Sequence, residues 1–131
     1  MMYKTTWLID DNEIDNFLNK KIIINNDFSE RVVEFNLASA AEAEVENLLK
    51  SPTLVNAPDF IFLDLNMPVY SGMDFMKKCD NKLHKLNPKI KIAVLTSSIN
   101  PEDEHAASLF SSFCAFVNKP LDVDKINKLM A

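Results

Sequence analysis

Asp59-Phe60-Ile61-Phe62-Leu63-Asp64 is an unbroken apolar run held between two carboxylates. A strand with one wet face alternates apolar and polar residues, whereas a continuous run marks a strand covered on both faces, as in a parallel sheet flanked by helices. Asp59 to Leu63 is therefore expected to be a central strand that delivers Asp64 to its end. The flanking sequence repeats the unit in both directions. Thr5 to Ile9 reads as a buried strand ending at Asp10-Asp11, and Asn12 to about Ile24 as a helix whose apolar face carries Ile14, Phe17, Leu18 and Ile22. Arg31 to Phe35 is a second strand, and the alanine- and glutamate-rich Ala38 to Leu49 is a helix by propensity and pattern.

Beyond Asp64, a loop with Pro68 and Gly72 leads into a helix from about Met73 to Leu86. Ile90 to Leu95 is a strand ending at Thr96-Ser97-Ser98. Asn100-Pro101-Glu102-Asp103 then starts a helix, with a cap residue, a first-turn proline and acids where the helix dipole favours them. That helix is expected to reach about Ser112, followed by a strand from Cys114 to Val117, the segment Asn118-Lys119-Pro120, and a short helix from Val123 to Met130. Ser51 to Pro58, with two prolines, is the longest irregular stretch. Five β/α units in 131 residues predict one α/β domain, a parallel sheet with helices on both faces.

Composition narrows the chemistry. Average usage would give about nine glycines in this length, and the chain has one. No glycine-rich dinucleotide turn, P-loop or nucleophile elbow is possible, so any phosphate chemistry must use carboxylates, a metal, hydroxyls or lysine. The formal charge of −5, without a basic cluster, disfavours direct nucleic-acid binding. The N-terminal apolar stretch is too short for a signal peptide, and no apolar run approaches the ~18 residues of a membrane span, which predicts a cytoplasmic protein without membrane insertion. Cys79 and Cys114 stand 35 residues apart with no metal-ligand spacing, and read as reduced, mostly buried thiols. His84 and His105 read as surface residues.

Open α/β sheets bind ligands outside the carboxyl ends of their strands. The residues expected there are Asp10, Asp11, Asp64, Thr96 and Lys119. Clustered carboxylates repel one another unless a cation shares the site, and an all-oxygen donor set selects a hard ion such as Mg2+. Lys119 can then pair with Asp64 and with a phosphoryl group, and Thr96 can donate to a phosphoryl oxygen. Together these groups suit transfer of a phosphoryl group to a carboxylate.

Leu8-Ile9-Asp10-Asp11-Asn12, Leu63-Asp64-Leu65-Asn66-Met67-Pro68 with Gly72, Leu95-Thr96-Ser97 and Phe116-Val117-Asn118-Lys119-Pro120 closely resemble the receiver domains of two-component response regulators, and the resemblance runs from Lys4 to Ala131. It implies a flavodoxin-like sheet of order 2-1-3-4-5 and a stand-alone, chemotaxis-regulator-like receiver over residues 1–131 with no output domain. By the same resemblance Asp64 is the phosphoacceptor, served by a sensor histidine kinase or histidine phosphotransfer protein. Asp11 and Asp64 would ligate Mg2+, or Mn2+, by side chain, Asp10 through water and Asn66 through its backbone carbonyl. Thr96 and Lys119 would contact the phosphoryl group, and Lys119-Pro120 would be a cis peptide.

The resemblance further implies that Thr96 and Phe116 form a switch altering the face made by the fourth helix, fifth strand and fifth helix, for an unknown downstream protein or for relay of the phosphoryl group. Phe116 as plain core is the competing assignment, because phenylalanine lacks the hydroxyl of tyrosine. Ile14, Phe17 and Leu18 are expected to be mainly core, or else to supply a kinase-docking patch on the first helix. Met67 and Met73 would shape the loop over the site or fill core. Asn66 and Ser98 occupy positions where the family tunes acyl-phosphate lifetime, so self-phosphorylation from a phosphodonor and autodephosphorylation are expected without a further enzymatic activity. The segment before Asp64 is longer than usual in the family, with Ser51 to Pro58 as the expected site of the extra residues, and the last helix is short.

Two other classes share parts of this pattern. A haloacid-dehalogenase-type phosphatase uses similar groups, but its nucleophile precedes its acidic pair and a second aspartate follows two residues later; here Asp10-Asp11 comes first and position 66 is Asn. A receiver-like interaction module independent of phosphate would not need all five site residues.

Overall fold

The computed structural model describes residues 2–51, 57–97 and 99–131. Five strands and five helices alternate: β1 (Tyr3–Ile9), α1 (Glu13–Asn25), β2 (Ser29–Phe35), α2 (Ala38–Lys50), β3 (Phe60–Asp64), α3 (Gly72–Leu86), β4 (Lys91–Thr96), α4 (Pro101–Ser108), β5 (Phe113–Asn118) and α5 (Val123–Met130). The strands form one parallel sheet in the order β2-β1-β3-β4-β5.

Alternation along each strand divides the interior in two. Trp7, Ile9, Ile61, Leu63, Ile92 and Val94 face a core closed by Ala41, Val45 and Leu48 of α2 and by Phe75, Met76, Cys79 and Leu83 of α3. Leu8, Phe60, Phe62, Ala93, Leu95 and Val117 face the opposite core with Phe28, Ile23 of α1 and Ile126 of α5. Phe28 packs against Phe60 and Phe62 with ring centroids 5.0 and 5.5 Å apart. The continuous run of β3 is therefore apolar because both its faces are inside.

Capping sets where the helices begin. Asn12 accepts from the backbone N–H groups of Ile14 and Asp15 to start α1, and Ser71 and Asp74 form a reciprocal capping box at α3. Asn100 caps α4, with Pro101 in its first turn. This helix stops at Ser108, short of the expected Ser112, because Ser111 and Ser112 are drawn back to Asp80 of α3. The Asp80 carboxylate accepts from the Ser111 hydroxyl at 3.0 Å and from the Ser112 N–H at 3.1 Å. Ala107 is the only fully buried residue of α4.

The expected core face of α1 is wrong in detail. Ile14, Phe17 and Leu18 are 68%, 55% and 50% exposed, and the helix buries Asn16, Asn19 and Ile23 instead. Positions 16, 19 and 23 follow the helical repeat and meet the sheet; the apolar set at 14, 17 and 18 lies on a neighbouring, largely exposed stripe. Cys114 is likewise exposed, because β5 is an edge strand, whereas Cys79 is buried and burial pushes its thiol up to about 12. His84 and His105 lie on the surface, Met67 is buried in the core, and Met73 is half-buried against it. Most of the Ser51 to Pro58 stretch, and Ser98, fall outside the described residues. Among the described residues no helix is long and apolar enough to cross a membrane.

Candidate functional site

Register brings the five polar strand-end residues to one rim. Ile9 pairs with Leu63, Asp64 with Leu95 and Thr96 with Asn118, so the chain leaves β1, β3, β4 and β5 at nearly the same level. Asp10 and Asp64 are buried and Asp11 is exposed. One carboxylate oxygen from each of these three lies within 4.8 Å of the others.

Asp10 is fixed from several sides. Its Oδ1 accepts from the Asn12 N–H at 2.9 Å, and its backbone carbonyl accepts from the Asn16 side-chain amide at 3.0 Å. The same Asn16 amide donates to Asn36 Oδ1 at 3.1 Å, tying the β1–α1 turn to the end of β2. Asp64 accepts from the Asn66 N–H at 3.2 Å.

Behind Asp64 stands the single glycine. Its φ is not in the left-handed region; what it provides is close approach. A Cβ on Gly72 would lie 2.4 Å from the Asp64 carbonyl oxygen and 2.9 Å from Leu65 Cα, and the Gly72 N–H donates to the Leu65 carbonyl at 3.2 Å. The first turn of α3 thus rests on the backbone of the residue it supports.

Lys119 reaches the rim from the end of β5. Its backbone N–H donates to the Thr96 carbonyl at 2.7 Å, and its peptide bond to Pro120 is cis. The ammonium lies 2.8 Å from Asp10 Oδ2, 3.3 Å from Asp15 Oδ2 and 3.5 Å from Asp64 Oδ1. Its nearest carboxylate is therefore Asp10, with Asp64 the farthest of three. Burial alone would depress this ammonium, but hydrogen bonding and attraction to Asp10, with Asp64 and Asp15 adding to it, hold its pKa above the ordinary lysine value.

Electrostatically the carboxylates are under-compensated. Burial, then repulsion from Asp10, raise the Asp64 pKa from 3.8 to about 6, against the opposing pull of Lys119. A set of three oxygen-donor carboxylates in which one is pushed toward protonation fits a hard divalent cation, whose charge would offset that repulsion.

Thr96 is fully buried, and its Oγ1 accepts from the Asn66 side-chain amide at 3.1 Å. Phe116 is half-buried against the α2–α3 core and pairs with Val94 in the β4–β5 register, two residues before Thr96. Ile14, Phe17 and Leu18 stand exposed on α1, with the Lys21 ammonium 4.5 Å above the Phe17 ring. Sequence reasoning missed Asp15 and Asn16. Asp15 looks like an ordinary first-turn acid, and Asn16 gives no signal until the β1–α1 turn is built.

A family model described as the response regulator receiver domain matches residues 7–131. The chain belongs to that family. Among solved structures, this receiver resembles a two-component response regulator from Cytophaga hutchinsonii at 28% identity and a TM-score of 0.83, over 97% of this chain and 93% of the other. It resembles the Vibrio cholerae chemotaxis protein CheY4 at 18% identity and a TM-score of 0.73, over 98% and 96% of the two chains. The receiver domain of the Arabidopsis thaliana histidine kinase CKI1, solved with Mg2+ and BeF3−, matches at 17% identity and a TM-score of 0.73, over 97% and 89%. No curated protein sequence matches the chain.

Proposed function

We propose that this receiver accepts a phosphoryl group on Asp64 from the phosphohistidine of a sensor kinase or phosphotransfer protein. The carrying observation is the convergence of Asp10, Asp11 and Asp64 within 4.8 Å of one another with the Lys119 ammonium bridging Asp10 and Asp64. An Asp64 oxygen attacks phosphorus, the phosphorus–nitrogen bond breaks, and the imidazole leaves with the bonding pair. Mg2+, or Mn2+, bound by Asp11 and Asp64, by Asp10 through water and by the Asn66 carbonyl, would neutralise charge on the transferring oxygens. Lys119 supplies a second positive charge, and the Thr96 hydroxyl, which accepts from the Asn66 amide, can donate its proton to a phosphoryl oxygen.

Movement of Thr96 toward the phosphoryl group would open space for Phe116 and change the α4–β5–α5 face, the surface offered to a downstream protein, unless the phosphoryl group is relayed onward. The exposed Ile14, Phe17 and Leu18 are suited to docking the phosphodonor, since an uncovered apolar stripe beside the rim has no role in the core. The receiver acts in the cytoplasm, and its acyl phosphate is lost by autodephosphorylation.

Intact-mass measurement after incubation with acetyl phosphate and Mg2+ tests the acceptor assignment. One added phosphoryl group is expected on the wild type and none on Asp64→Ala or in chelator; an unmodified wild type would overturn it.

A further inference from the structure

Lys119 has three ammonium hydrogens and three carboxylate neighbours, and one of these, Asp15, belongs to no metal cluster. Only Asp10, Asp11 and Asp64 bring oxygens within 4.8 Å of one another among the described residues. Asp15 instead sits at the third helical position of α1, 3.3 Å from the ammonium, and is closer to it than Asp64 is. A lysine ammonium can donate three hydrogen bonds and no more. Its hydrogen bonds go to Asp10 and Asp15, with Asp64 at ion-pair distance, so a phosphoryl oxygen arriving on Asp64 competes with these carboxylates for the ammonium.

Burial decides which of them yields. The Asp10 side chain is 3% exposed and the Asp64 side chain 5%, so stripping the ammonium from either leaves a carboxylate with little access to water. Asp15 is 38% exposed and can be solvated when released. Asp15 and Lys119 both line a cavity of about 310 Å3 bounded by Leu18, Asn19, Ile22 and Leu121, so a released Asp15 carboxylate has open space beside it.

We propose that Asp15 is a positioning residue that holds Lys119 in a resting place on α1, and that phosphorylation exchanges this contact for one to the phosphoryl group. The proposal rests on Asp64 being the acceptor. Asp15 then opposes the phosphorylated state, since that state forfeits the pair, and sets how readily a donor charges the receiver. An ion pair this exposed is worth roughly a two- to fivefold effect on an equilibrium.

The test is calorimetric titration of the Mg2+-loaded protein with beryllium fluoride, a phosphoryl mimic, in the wild type, Asp15→Asn, Asp15→Glu and Glu13→Gln. Asp15→Asn is expected to bind the mimic two- to fivefold more tightly. Asp15→Glu, which keeps the carboxylate, should return toward wild-type affinity. Glu13→Gln removes the same charge from the same turn, where Glu13 contacts Asn36 and not Lys119, and should change affinity by less than about 1.5-fold. A crystal structure of the beryllium fluoride form should place the Lys119 ammonium on fluoride and beyond 4 Å from Asp15 (the ion-pair limit). Unchanged affinity in Asp15→Asn, equal gains in Asp15→Asn and Glu13→Gln, or Lys119 still on Asp15 beside bound mimic would each overturn the proposal. Failure of the wild type to bind the mimic would instead remove the acceptor assignment on which it rests.

Discussion

The Asn66 amide donates to the Thr96 hydroxyl across the 3.1 Å gap between the ends of β3 and β4. A hydroxyl that accepts on one side directs its own hydrogen away from that donor. Asn66→Asp would reverse the bond, since a carboxylate only accepts, and would turn the hydroxyl hydrogen away from the acceptor. Phosphorylation by acetyl phosphate, followed by intact mass over time, is expected to slow by about 3- to 10-fold, the equivalent of one hydrogen bond to a charged or developing anion. A rate equal to wild type would remove Asn66 from any role in orienting Thr96.

Asp64 should make the divalent-free protein less stable as pH rises. Its folded pKa of about 6 lies above the ordinary aspartate value of 3.8, so the folded state holds more protons than the unfolded chain between these values. Stability from this group is present below about pH 4 and is lost progressively toward pH 6. Asp64→Asn is therefore expected to stabilise the chelated protein by about 1–3 kcal/mol at pH 7 and by much less at pH 4, read from urea unfolding at both.

Gly72→Ala tests the seating of α3. The added methyl has only backbone to push against, so a loss of about 1–3 kcal/mol in urea unfolding is expected, with weaker beryllium fluoride binding at temperatures where the variant is fully folded. Wild-type stability would mean that the turn relaxes freely.

Ile14→Ser with Phe17→Ser should leave stability within about 0.5 kcal/mol, because both side chains are more than half exposed. Phosphorylation by acetyl phosphate should be unchanged, while transfer from the cognate phosphohistidine donor should fall by at least about tenfold if the apolar stripe is its footing. Equal loss with both donors would place the defect in the rim instead.

Most of this architecture could be anticipated because its elements are written in local pattern. The uninterrupted run at Phe60–Leu63 and the carboxylates, hydroxyl and lysine following strands specify both the sheet and the end of it that matters. The errors have a common origin. Whether Ile14 or Asn16 faces inward depends on the rotation of α1 about its axis, which the polar anchor from Asn16 to the Asp10 carbonyl helps to fix. An apolar count along the helix cannot see such an anchor. Asp15 escaped notice for the same reason: its partner lies 104 residues away, and only the folded register of β5 brings the two together. The end of α4 was misjudged because Asp80, on another helix, competes for its continuation.

The close seating of Gly72 makes the domain mechanically uneven around Asp64. On one side, α3 touches the Asp64 backbone and is braced against α2 by Lys82 with Glu46, and the loop before it by Tyr70 with Glu42. On the other side, α4 commits a single residue to full burial. A load applied at the Asp64 side chain meets a stiff wall toward α3 and a more compliant one toward α4. Under the proposed function, displacement would follow the compliant path, so the direction of signalling would be set by where the fold is hard as much as by what moves.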